Sequence, residues 1–137
     1  GECENPRLDV DIINCNPSVT DATSNDFCSP ENINVDNPEL GETFRIMVNY
    51  FSAHGHTGPT HPTVNIYCGG GLRATFGDGA VALTGSSTGS SNDNWLVADV
   101  QFYVDECGGI DCRINPLVEM DSPIINFTGA FGPPWSF

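Results

Sequence analysis

The sequence predicts an all-β fold, an antiparallel β-sandwich of jelly-roll type, stabilised by disulfides and carrying long loops and an extended C-terminal tail. Apolar residues alternate with polar ones over three successive segments: Phe44, Ile46, Val48 and Tyr50 in 43–51, then Val64, Ile66 and Cys68, then Leu72, Ala74 and Phe76. Such period-two alternation marks half-buried strands. Nowhere do apolar residues recur at helical spacing over ten residues or more. Six cysteines, an even count, are spread through a small chain rich in Gly, Pro, Asn, Ser and Thr, and none has C-x-x-C spacing. That spread suits disulfides better than a zinc ribbon.

In chain order, Leu8, Val10 and Ile12 share one face of an amphipathic strand whose other face carries Asp9 and Asp11. Residues 14–31 read as loop, and a Cys15–Cys28 bridge would offset much of its ordering cost. A short strand at 32–35 and a turn through Pro38 and Gly41 lead into the strand at 43–51. The loop 52–62 follows, and Gly69-Gly70-Gly71 makes a hairpin turn that needs positive φ. Ala80-Val81-Ala82-Leu83 is a weak apolar run, and 84–94 reads as exposed loop. In 95–104, Leu96, Ala98, Val100, Phe102 and Val104 are expected inward, with Trp95, Val97, Asp99, Gln101 and Tyr103 opposite. Cys107 to Cys112 reads as a tight turn, and 124–127 is the last strand candidate. Seven or eight short strands with turn signals between them make a sandwich.

A single domain is the natural reading of this length. The β-sandwich is expected over 1–113, with 114–137 as a strand or tail packing on it or on a neighbouring subunit. The net charge of -14, with four arginines and no lysine, excludes nucleic acid and anionic lipid as partners and invites divalent cations. No long apolar run is present, so membrane insertion is not expected. The cysteines place the chain in an oxidising compartment, extracellular or at the cell surface, and its start at Gly reads as a processed segment.

Asp9, Asp11, Asp21, Asn25, Asp26 and Glu31 are dense enough to offer a calcium ion its six to eight oxygens, although their spacing is not that of an EF-hand. The competing reading is a solvated acidic loop built from Asx-turns. His54, His56 and His61 lie close enough for a transition metal, while His-Gly and Gly-Pro pairs also make exposed turns. The glycine-rich stretches lack the Lys-Ser/Thr of a phosphate loop. No nucleophile-elbow or metalloprotease motif occurs and no carboxylate pair is singled out, so the expectation is a chain that is not an enzyme. Trp95, Trp135, Tyr50 and Tyr67 are either a sugar-stacking platform or core aromatics. Asn126-Phe127-Thr128 is a glycosylation sequon.

Several stretches resemble a group of secreted bacterial β-sandwich domains of unknown function, related to the calcium-associated accessory domains of secreted peptidases and surface proteins. They are Asn5-Pro6-Arg7-Leu8-Asp9-Val10-Asp11, Pro30-Glu31-Asn32-Ile33-Asn34-Val35, Val48-Asn49-Tyr50-Phe51, His54-Gly55, Gly58-Pro59, Val64-Asn65-Ile66-Tyr67-Cys68-Gly69-Gly70, Leu72-Arg73-Ala74-Thr75-Phe76-Gly77 and Trp95-Leu96-Val97-Ala98-Asp99-Val100. The resemblance covers residues 5–115 and implies a non-catalytic module with Asp9, Asp11 and Glu31 near a cation. It further implies a bridge from Cys68 to Cys112 or Cys107, while Cys3, Cys15, Cys28, Cys68, Cys107 and Cys112 together allow fifteen pairings among which the sequence does not choose. Members of the group begin with further strands, so this chain is expected either to be truncated or to receive strands from another copy.

The sequence reading is therefore a non-enzymatic extracellular structural or adhesive protein, a homo-oligomer or filament built through strand contacts and stabilised by calcium. The alternative is a carbohydrate-binding or calcium-binding accessory module of a larger secreted enzyme or lipoprotein, with polysaccharide as its partner.

Overall fold

The computed structural model describes residues 16, 18–21, 23–24, 30–53, 58–85, 93–125 and 132–137, and the backbone alone of 7–10 and 126. All of its regular elements are strands, paired antiparallel. The chain forms two compact units, Gly1–Glu39 and Leu40–Phe137. In the first, β1 (Arg7–Val10) pairs with β2 (Asn32–Asn34), Leu8 opposite Ile33.

The second unit is organised around one long strand. Its elements are β3 (Thr43–Asn49), β4 (Val64–Cys68), β5 (Gly71–Phe76), β6 (Asn94–Val104), β7 (Ile110–Pro116), β8 (Val118–Glu119) and β9 (Ser122–Asn126). β3 covers one edge of β6, from Thr43 opposite Gln101 to Asn49 opposite Asn94. The other edge is shared end to end: β7 takes Ala98 to Val104 and β9 takes Asn94 to Leu96. Between them the chain leaves the ladder in a small β8–β9 hairpin, turned at Met120 and Asp121 with φ of 49° and 63°. Two successive positive φ angles match the twist of a tight hairpin.

The β4–β5 hairpin packs its apolar side on this sheet, and Ile66 and Cys68 join Val81, Leu83, Trp95, Val97 and Val100 in one core. Its turn uses Gly69 and Gly70 at φ of 59° and 81°, as the glycine run predicts. A Cys68–Cys112 disulfide, with a Cα separation of 6.2 Å, joins β4 to β7. On the same side of the unit, Arg73 reaches the Asp111 carboxylate at 2.7 Å. The Asp111 carboxyl is held below its ordinary range by the Cys112 backbone N–H first and by Arg73 second.

A β-bulge decides which side chains of β6 enter the core. Ile46 faces Ala98 but Met47 faces Leu96, so Val97 is an extra residue on β6. An extra residue resets the alternation. Trp95, Val97, Ala98 and Val100 consequently all belong to the core cluster, whereas Leu96, though fully buried, does not. This corrects the strict alternation expected for 95–104. A second bulge, at Arg73, turns Leu72 outward opposite Tyr67, so Leu72 is 55% exposed rather than inward. Val104 is half exposed because it lies at the end of the ladder.

Two further differences concern the C-terminal part. β7 begins inside the stretch read as a tight turn, and the expected division after residue 113 falls within β7. β7 and β9 both hydrogen-bond to β6, so the strands between Ile114 and Asn126 belong to the sheet of the larger unit.

Candidate functional site

The outer face of the β3–β6 pair carries the most developed polar arrangement of the described residues. Arg45 alternates with Ile46, which packs against the core, and with Phe44, which meets the Phe102 ring edge-on, and it lies directly opposite Asp99 in the ladder. The guanidinium binds the carboxylate in bidentate fashion, Nε donating to Oδ1 at 2.8 Å and Nη2 to Oδ2 at 2.9 Å. The Arg45 side chain is 6% exposed and that of Asp99 0%. A buried pair of this kind persists only when its remaining hydrogen-bonding capacity is also met.

The C-terminal segment meets it. Arg45 Nη1 donates to the Pro133 carbonyl at 2.5 Å and Nη2 to the Pro134 carbonyl at 3.2 Å. Asp99 Oδ2 accepts from the Ser136 N–H at 3.0 Å and from the Ser136 hydroxyl at 2.9 Å. The Trp135 ring lies over the guanidinium, 4.7 Å from Cζ to the ring centroid, a cation–π contact. Gly132, at φ of 80°, passes so close to Leu96 that a Cβ there would overlap the leucine side chain. The segment thus covers the residue that the β6 bulge turns out of the core.

The electrostatics follow from these contacts. Burial pushes the Asp99 carboxyl up, but the Arg45 hydrogen bonds, the two from Ser136 and the Arg45 charge together hold it below its ordinary value. Arg45 is raised in turn, chiefly by its hydrogen bond to Asp99. The arrangement offers two carbonyl-seeking N–H groups, a cationic plane and a carboxylate that accepts from N–H and O–H. It suits binding an extended peptide.

The residues singled out from sequence are placed otherwise. Asp9 lies in β1, while Asp11, Asn25 and Asp26 fall outside the described residues. Asp21 uses Oδ1 to accept from the Thr23 N–H at 2.9 Å and the Thr23 hydroxyl at 2.7 Å, an Asx-turn that lowers its pKa. Glu31 is exposed. No group of three metal-ligating side chains occurs among the described residues. His54 and His56 lie outside them, and His61 is exposed ahead of β4. Cys3, Cys15 and Cys28 also lie outside. Cys68 pairs with Cys112, and Cys107, exposed at the β6–β7 turn, has no disulfide partner among the described residues. Asn126 closes β9 opposite Asn94, and the rest of its sequon lies outside the described residues. The four aromatics do not form one platform, since Trp95 is in the core and Tyr50 packs against it. Asp93 is also buried: Oδ2 accepts from the Thr84 N–H at 2.7 Å, and Oδ1 has no hydrogen-bond partner among the described residues.

Arg45, Asp99, Trp135 and Ser136 were not anticipated as a unit. The available signal was charge: Asp99 is the lone carboxylate in the apolar run Leu96-Val97-Ala98-Asp99-Val100, and Arg45 is the lone charge of its strand. Comparison with protein-family models, curated proteins and solved structures finds no match. Among the described residues no helix is long and apolar enough to cross a membrane.

Proposed function

We propose that this chain is a non-enzymatic extracellular structural or adhesive protein of a cell surface, which assembles with copies of itself by strand addition at the β3 edge. The observation that carries the reading is the state of that edge. Among the described residues β3 pairs only with β6, so its other edge has no ladder partner. Proteins ordinarily protect such an edge with lysine, proline or outward charge. The chain has no lysine, and the one charged residue of β3, Arg45, is turned onto Asp99 and the C-terminal segment. Met47 and the nearby Leu40 stand 42% and 53% exposed. A calcium ion near Asp9, Asp11 and Glu31, implied by the resemblance, belongs to this reading, and a calcium-dependent rise in thermal midpoint tests it.

The net charge of -14 on every copy opposes association, and salt screens it. Negative-stain microscopy and size-exclusion chromatography across a salt series test the proposal. Oligomers or fibres that grow with salt support it, and a monomer at every concentration and salt contradicts it. The alternative, a polysaccharide-binding accessory module, draws on the exposed rings of Tyr67 and Trp135. Retention of a monomeric chain on insoluble polysaccharide, abolished by Tyr67→Ala, would favour it instead.

A further inference from the structure

We propose that Arg45, Asp99 and Leu96 form a recognition site for a Pro-Pro-Trp-Ser segment, filled here by the chain's own C-terminus and open in the same way to the C-terminus of a second copy. The second-copy part rests on the assembly reading above, whereas recognition of the segment does not.

The receptor groups are built into the sheet. Asp99 is fully buried and Arg45 nearly so, each held opposite the other by the β3–β6 ladder. The segment, in contrast, belongs to no strand, and residues 132–137 make no ladder. Its anchors are its own groups: the Pro133 and Pro134 carbonyls, the Trp135 ring, and the Ser136 N–H and hydroxyl. Two consecutive prolines fix φ and hold the backbone extended, which lowers the entropy lost when the carbonyls are captured. The site reads a sequence. Asp99 requires an N–H and O–H donor at one position, the guanidinium requires an aromatic face at the position before it, and Leu96 leaves room only for glycine at 132. Trp135 and Phe137 remain 57% and 44% exposed, so the segment lies on the surface and can leave without opening the core. None of these contacts depends on which copy supplies the segment.

The test uses the full chain with Trp135→Ala and Ser136→Ala, which removes two anchors and leaves Arg45, Asp99 and Leu96 in place. A fluorescein-labelled peptide with the sequence of residues 132–137 is titrated and its anisotropy followed. Saturable binding is expected. It should weaken at least about tenfold when the peptide carries Ser136→Ala or Trp135→Ala. The unaltered chain, whose own segment competes, should bind the peptide at least about tenfold more weakly than the variant does. No saturable binding by a variant with an intact Cys68–Cys112 disulfide and β-type circular dichroism overturns the proposal. Equal binding of all three peptides, or equal binding by variant and unaltered chain, overturns it as well. Peptide binding as expected together with a strictly monomeric unaltered chain upholds the recognition site and contradicts edge assembly, which separates the two claims.

Discussion

Arg45 and Asp99, 54 positions apart in sequence, face each other across the β3–β6 ladder and are joined by two hydrogen bonds of 2.8 and 2.9 Å. The pair is buried because the C-terminal segment lies over it, and the segment stays because the pair holds it. Removing Asp99 alone leaves a buried guanidinium without its partner. Asp99→Ala should cost about 3–5 kcal/mol, whereas the double change Arg45→Met with Asp99→Leu should recover much of that loss. Urea denaturation measures both.

The same pair sets a pH dependence. The folded Asp99 pKa lies below the ordinary carboxylate value, so the unfolded chain binds the proton more tightly. The stabilisation is therefore fully present above the unfolded pKa and is lost as pH falls through the folded one. The gap in thermal midpoint between the unaltered chain and Asp99→Asn should be constant from neutral pH down to about 5 and should close only below about 4. A gap that closes between pH 7 and 5 would place the responsible group elsewhere.

Fluorescence can follow the segment, because Trp95 is 3% exposed and Trp135 is 57% exposed. Gly132→Ala forces a Cβ into Leu96 at a positive φ and should dislodge the segment at a cost of 1 kcal/mol or more, on the order of a strained turn position. Acrylamide quenching of the Trp135 emission should rise, while Trp95 stays protected. Unchanged quenching would show that the glycine is not required.

The strands were legible where alternation alone decides them. Residues 43–49 and 64–68 emerge as β3 and β4 with the expected faces inward. What alternation cannot reveal is an inserted residue: the bulge at Val97 exchanges the faces of Trp95 and Leu96, and the one at Arg73 exposes Leu72. β7 was obscured by the glycines before it and by its polar residues Asp111, Arg113 and Asn115, even though Cys112 and Ile114 alternate correctly. The peptide clamp lay furthest from reach. Its members come from β3, β6 and the C-terminus, and only their lone charges in apolar settings marked them.

The disulfide ties β4 to β7 covalently. It closes a loop with a sequence separation of 44, and the paired change Cys68→Ala with Cys112→Ala should cost roughly 4 kcal/mol through loop entropy. In the native chain, iodoacetamide should label Cys107, while Cys68 and Cys112 should react only after reduction and unfolding. Peptide mapping by mass spectrometry reads out all three sites.

Sedimentation of the native chain across concentration and salt, beside Met47→Lys, tests the central claim most directly. Met47 is a partly exposed residue of β3, whose outer edge has no ladder partner among the described residues, and a lysine there supplies a protective charge. Edge assembly predicts species larger than the 14.7 kDa monomer that grow with concentration and salt, and their loss in Met47→Lys with the fold retained. A single 14.7 kDa species under all conditions, or assembly indifferent to Met47→Lys, would contradict it.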